Sequence, residues 1–174
     1  MIYRIDEKDL RERAQALRLM AFDVDGVMTD GRLIYNADGE VLKIFHALDG
    51  HGLKALRQDG VKLAIITGRN SPMVEKRAAD LGFDKVIQGR LDKKVALASI
   101  AEEFGYNADQ VGYAGDDAPD APALAWSSLA FSVPNGHVQA TNAAHIITQR
   151  AGGHGAVRDI CDILLAARHD ERLP

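Results

Sequence analysis

The sequence predicts an α/β fold: a doubly wound parallel sheet with helices on both faces and a protruding β-hairpin, within one domain spanning residues 1–174. Three observations predict it. Short apolar runs alternate with stretches of helical period, polar residues of matched chemistry follow the runs, and one segment alone breaks the alternation.

The runs lie at residues 19–24, 61–67, 85–88, 111–114, 129–133 and 145–148. Continuous apolar character over so few residues marks strands buried on both faces, as in a parallel sheet. Helical patterns fall between them at 52–58, 72–81, 93–104, 118–125 and 138–143, with a last helix at 156–167 and a charged one before the first strand. Ser71-Pro72 opens the 72–81 helix with a favoured N-cap and a favoured first residue. The result is a Rossmann-like sheet, whose ligands bind at the carboxyl ends of the strands near a topological switch point.

The exception is the segment 32–47, which reads as two strands around Asn36-Ala37-Asp38-Gly39, with glycine where a positive φ is needed. Leu33 and Ile34 are neighbours, as are Val41 and Leu42, so the hairpin is apolar on both faces. A two-stranded ribbon needs a cover. Either its own domain or other subunits supply it, and the apolar exposure favours other subunits.

The bulk properties exclude several classes. With 174 residues, 47% apolar and 26% charged, the chain supports one well-buried core. A net charge of −4 argues against nucleic acid as a partner. The single cysteine, Cys161, allows neither an intrachain disulfide nor a zinc framework. The first nineteen residues are charged throughout, without the apolar core of a signal peptide, and no stretch approaches the roughly 20 apolar residues of a membrane span. No membrane association and a cytoplasmic location are the expectations.

Four motifs follow separate strands. Asp23-Val24-Asp25-Gly26 sets two carboxylates at a strand end, with glycine to turn the chain. A carboxylate attacking a phosphate dianion needs a cation to offset the like charge, and a second carboxylate can serve as acid and then base. Thr67-Gly68-Arg69 offers a hydroxyl, a close backbone amide and a guanidinium, ahead of a helix N-terminus that attracts anions. Lys93 stands in a first helical turn, where its charge opposes the helix dipole unless it meets an anion. Gly115-Asp116-Asp117-Ala118-Pro119-Asp120 supplies oxygen ligands of the kind Mg²⁺ takes. Asp116 is the first candidate there, Asp117 supports it or bonds Lys93, and Asp117 and Asp120 also suit helix capping. The six histidines show no metal spacing; His51 and His154 are the two that can lie near the site.

In this order and in these roles the four motifs resemble those of the haloacid dehalogenase superfamily, over residues 19–148. The wording of residues 22–31, the hairpin, Asp49-Gly50-His51-Gly52, Ile66-Thr67-Gly68-Arg69 and Ala151-Gly152-Gly153-His154-Gly155-Ala156 narrows the resemblance to the 3-deoxy-D-manno-octulosonate 8-phosphate phosphatases of lipopolysaccharide sugar synthesis. The resemblance implies a capless, Mg²⁺-dependent enzyme assembled as a homotetramer through its hairpins, and no insertion here is long enough for a cap. It makes Asp23 the nucleophile and a metal ligand, and Asp25 the acid/base, binding metal through its carbonyl. Thr67, Gly68 and Lys93 would hold phosphate and Asp116 would complete the metal site. Arg69, Arg77 and His154 would contact the sugar acid, a guanidinium matching carboxylate geometry.

Two departures stand out. His154 occupies a position that often carries Arg in that family, and the chain ends in a short charged tail, residues 169–174. Arg69, where phosphatases of nine-carbon keto acid 9-phosphates are expected to carry an acid, favours the eight-carbon substrate. Those phosphatases, a broad-specificity phosphatase and a catalytically silent binding subunit are the alternatives; the last would be marked by loss of Asp23, Asp25 or Lys93, and all three are present.

Overall fold

A computed structural model describes residues 1–174. Its main sheet has seven strands: β1 (Ile2–Tyr3), β2 (Leu19–Phe22), β5 (Lys62–Ile66), β6 (Lys85–Ile87), β7 (Val111–Ala114), β8 (Leu129–Ser132) and β9 (Ile146–Ile147). β3 (Ile34–Asn36) and β4 (Gly39–Leu42) form the separate hairpin. The sheet order is β1-β9-β8-β7-β2-β5-β6, with every pairing parallel except β1 on β9. From β2 the chain runs outward through β5 and β6, then returns to the other side of β2 for β7, β8 and β9. The switch point therefore lies between β2 and its neighbours.

The helices are α1 (Glu7–Ala16), α2 (Ala47–Gln58), α3 (Pro72–Leu81), α4 (Lys93–Glu103), α5 (Ala121–Trp126), α6 (Val138–Ala143) and α7 (Ala156–Arg168). Alternate residues of each strand feed two cores. Met20, Phe22, Leu63 and Ile65 meet α1, α2, α3 and α7 on one face. Leu19, Ala21, Ala64 and Ile66 meet α4, α5 and α6 on the other. The continuous apolar runs in the sequence have this cause: both pleat faces are covered.

Four elements differ from the sequence reading. β1 is a two-residue edge strand, too short to leave a pattern. α2 begins at Ala47 rather than at residue 52, because glycines at 50 and 52 lower helix propensity and disguised its first turns. Gly52 is there for close packing: a Cβ would lie 3.0 Å from the Cβ of Cys161 on α7. The 118–125 helix is a 3₁₀ turn at Ala118–Asp120 followed by α5. Ser71 precedes α3 but makes no side-chain cap bond.

The hairpin turns at Ala37-Asp38, with Gly39 at φ +130° and the Asp38 amide donating to Asn36 Oδ1 at 2.8 Å. Its own domain does not bury it. Leu33, Ile34, Tyr35, Val41, Leu42 and Ile44 remain 38–59% exposed, while Lys43 between them is buried.

Candidate active site

A cavity of about 520 Å³ opens at the carboxyl ends of β2, β5 and β7, the switch point of the sheet. Asp23, Asp25, Thr67, Gly68, Arg69, Lys93, Asp116 and Asp117 all line it, so the four motifs converge. The lining ends at Arg69 on that side. Ser71 and Pro72, at the start of α3, line an adjoining groove that shares Gly68 and Arg69 with this cavity.

Asp23 directly follows β2 and is 6% exposed. Beyond it the chain makes a tight turn over Val24–Met28, closed by the Thr29 amide on the Val24 carbonyl at 3.0 Å. Gly26 takes φ +97°, which brings Asp25 round to the same cavity as Asp23. Any Cβ there would overlap the Asp116 carboxylate. The loop 151–155 braces this turn from behind, the Gly153 amide donating to the Val27 carbonyl at 3.2 Å.

Lys93, in the first turn of α4, is buried with its ammonium between two carboxylates: Asp120 Oδ1 at 2.7 Å and Asp23 Oδ2 at 2.9 Å. A charge that opposes the helix dipole is held by anions. Asp120 is fully buried and saturated. Its Oδ1 accepts from Lys93 and from the Tyr113 hydroxyl at 2.7 Å, its Oδ2 from the amides of Asp116 at 3.2 Å and Asp117 at 3.0 Å. Asp120 is the supporting acid that bonds Lys93, and one expectation is corrected here: Asp117 does not bond Lys93. Asp117 is exposed and spends Oδ1 on the Ala118 amide, because its short side chain closes the turn that carries Asp120 inward.

Asp116 is left underbonded, with Oδ1 buried and without a partner. Burial, and then the charge of Asp120, push its carboxyl up from 3.8 to about 7. The same two causes, opposed by Lys93, push Asp23 up to about 8. Two acids whose ionised forms are disfavoured by burial and crowding, one with an orphan oxygen, fit a hard divalent cation. Oxygens of Asp23, Asp116 and Asp120 all lie within 4.8 Å of one another. Asp120 has no lone pair to spare after four bonds, which leaves Asp23 and Asp116 as the donors.

The opposite wall holds Asp25. Its Oδ1 meets Lys43 Nζ at 2.5 Å, and its Oδ2 lies 3.6 Å from Arg69 Nε. Lys43 also pairs with Glu40 at 2.7 Å. Burial works to lower the pKa of Lys43, but the bonds to Asp25 and Glu40 outweigh it and raise it. Sequence reasoning missed Lys43 and Tyr113. The available signal for Lys43 was a lone charge inside the apolar run 41–45; for Tyr113 it was the one polar tip in a buried strand.

Arg77 and His154 lie outside this cavity. Arg77 donates to the His46 carbonyl at 3.4 Å and stacks over the Phe45 ring at 5.6 Å. His154 and His51 are exposed and line no wall of it.

Acids for a cation, a buried lysine and a second acid at a switch point define a phosphoryl-transfer hydrolase. Residues 37–127 match the haloacid dehalogenase-like hydrolase family. A 3-deoxy-D-manno-octulosonate 8-phosphate phosphatase of Haemophilus influenzae is 36% identical over 159 residues, covering 91% of this chain and 88% of its own. That of Yersinia pestis is 40% identical, covering 92% and 86%. The crystal structure of the Moraxella catarrhalis phosphatase with magnesium ion, phosphate ion and KDO molecule superposes with a TM-score of 0.90 at 42% identity, covering 94% of each chain. The chain belongs to the haloacid dehalogenase-like hydrolases, in the branch of the 3-deoxy-D-manno-octulosonate 8-phosphate phosphatases.

Proposed function

We propose that this chain hydrolyses 3-deoxy-D-manno-octulosonate 8-phosphate to the free sugar acid and inorganic phosphate, with Asp23 as nucleophile and Asp25 as acid/base. The observation that carries the reading is the pairing of Asp23 with Lys93 across from Asp25 in one cavity. A carboxylate of Asp23 attacks phosphorus, and the bond to the sugar oxygen breaks as Asp25 gives that oxygen a proton. Asp25 then takes a proton from water, which attacks phosphorus and breaks its bond to Asp23, returning the free carboxylate and phosphate. Lys93, the Thr67 hydroxyl and the Gly68 amide hold the phosphoryl oxygens. Asp23, the Asp25 carbonyl and Asp116 would hold Mg²⁺, which would offset the like charge of nucleophile and phosphate.

Arg69 lines the cavity and is the arginine best placed for the sugar carboxylate. Arg77 and His154 have no such support within one chain. The exposed apolar faces of the hairpin support packing against further copies, as a homotetramer. No helix is long and apolar enough to cross a membrane, and a small phosphorylated sugar acid as substrate agrees with a cytoplasmic site of action.

The test is phosphate release from the 8-phosphate with and without Mg²⁺, beside a panel of phosphate monoesters including a nine-carbon keto acid 9-phosphate. Mg²⁺-dependent preference for the 8-phosphate is expected. Equal turnover across the panel would overturn the substrate, and no turnover anywhere would overturn the mechanism.

A further inference from the structure

We propose that Lys43 is the positioning residue for Asp25, through which the hairpin aims the acid/base at the leaving oxygen. This rests on the acid/base reading of Asp25. The starting observation is a lysine where none is expected. Its neighbours Leu42 and Ile44 are 46% and 59% exposed, yet the Lys43 side chain is 1% exposed. Adjacent residues of an extended chain point to opposite sides, so Lys43 turns inward where Leu42 and Ile44 turn out. Burying an ammonium is unfavourable without close anions. Lys43 has two, Asp25 Oδ1 at 2.5 Å and Glu40 Oε1 at 2.7 Å.

The geometry suits a tether rather than a proton donor. Lys43 does not line the cavity that Asp25 lines, so it reaches the chemistry only through Asp25. The terminal torsion of an aspartate is broad and selects no orientation by itself. An acid must nevertheless lie within about 3 Å of the oxygen it protonates. With Oδ1 fixed by Lys43, the carboxyl can no longer rotate freely, and Oδ2 is left toward Arg69 at 3.6 Å. Glu40 anchors the ammonium from behind, and Arg69 bonds the hydroxyl of Tyr35 at 3.3 Å. Lys43 alone of the hairpin touches the carboxylate, with Glu40 behind Lys43 and Tyr35 behind Arg69.

Positioning an acid has a signature that mere scaffolding lacks. Leaving-group protonation matters for an alkyl oxygen and little for p-nitrophenolate, which departs without it. The experiment compares kcat and KM on p-nitrophenyl phosphate and on the sugar 8-phosphate, with Mg²⁺, for the full chain and for Asp25→Asn, Lys43→Met and Lys43→Arg. Lys43→Met keeps the apolar stem and removes the charge. Its kcat should fall at least about tenfold more on the alkyl ester than on the aryl ester, within the roughly 10²–10⁴-fold range of acid catalysis. KM should move little, and Lys43→Arg should recover part of the loss. Equal loss on both esters, or no loss, overturns the proposal while Asp25→Asn remains selective. If Asp25→Asn is itself unselective, the acid role fails and the tether fails with it. Should Lys43→Met not fold, Lys43→Gln retains a donor without charge, and the same comparison decides: selective loss supports the tether, uniform loss overturns it.

Discussion

Asp120 is the residue on which two descriptions of the site diverge, and Asp120→Asn separates them. By proximity alone its carboxylate belongs to an acidic cluster with Asp23 and Asp116 that can bind a cation. By bonding it is the frame of Lys93, since all four contacts come from donors: the Lys93 ammonium, the Tyr113 hydroxyl and two backbone amides. An asparagine has one accepting oxygen, so its NH₂ must face either the two amides or the ammonium. Either choice sets donor against donor in a fully buried position. Breaking one partner of a buried pair costs about 3–5 kcal/mol, and at this chain length each kcal/mol moves Tm by roughly 2–4 °C. The metal-free variant should therefore melt about 6–20 °C lower by calorimetry at matched protein concentration. Its kcat should fall by up to about 10²-fold as Lys93 loses its fixed position. A metal-free Tm within about 2 °C of the parent, with the Mg²⁺ requirement raised tenfold or more, would refute the frame and make Asp120 a ligand.

Other expectations follow from the same geometry. Asp23→Asn should leave a folded protein without measurable phosphate release; retained turnover would remove Asp23 as nucleophile. Gly26→Ala should weaken Mg²⁺ binding in a calorimetric titration and lower stability by about 1–2 kcal/mol, because φ +97° is strained for alanine and its Cβ overlaps Asp116. In the metal-free protein, the folded values of Asp23 and Asp116 are raised from 3.8 to about 8 and about 7. Their stabilising contribution is full below 3.8 and is lost as pH rises through those values. Metal-free Tm should thus fall from about pH 5 to about pH 8, and the Tm gain on adding Mg²⁺ should grow over the same window; a gain independent of pH would contradict the assignment. Leu42→Asp with Ile44→Asp should elute as a smaller species in light-scattering chromatography, and an unchanged mass would place the subunit contact elsewhere.

The sheet was legible because its strands are buried on both faces, and the four motifs because each follows a strand in a parallel sheet. What escaped the sequence has physical reasons. α2 hid its first turns behind Gly50 and Gly52, which are there for contact with neighbouring elements rather than for helix propensity. Asp117 and Asp120 are both acids at a turn, and only the side-chain directions decide which one reaches Lys93. Asp117 stands before the 3₁₀ turn in extended backbone and stays on the surface, while Asp120 ends the turn and is buried. Lys43 escaped because a charge in an exposed ribbon is ordinarily solvated, and its partner Asp25 lies 18 residues away.

That separation bears on how a chain without a cap controls its chemistry. Between β2 and α2 the chain inserts only the turn after Asp23 and the hairpin, so nothing larger covers the cavity. Leu42 and Ile44 are exposed apolar surface, while Lys43 between them turns inward to Asp25 and also pairs with Glu40. An isolated two-stranded ribbon is marginal in water, so the proposed packing of its exposed apolar residues against other copies would also fix Lys43. On that proposal, assembly and the aim of Asp25 would be coupled through one short strand. The coupling needs no moving lid, since β4 ends at Leu42 and the next residue already bonds Asp25.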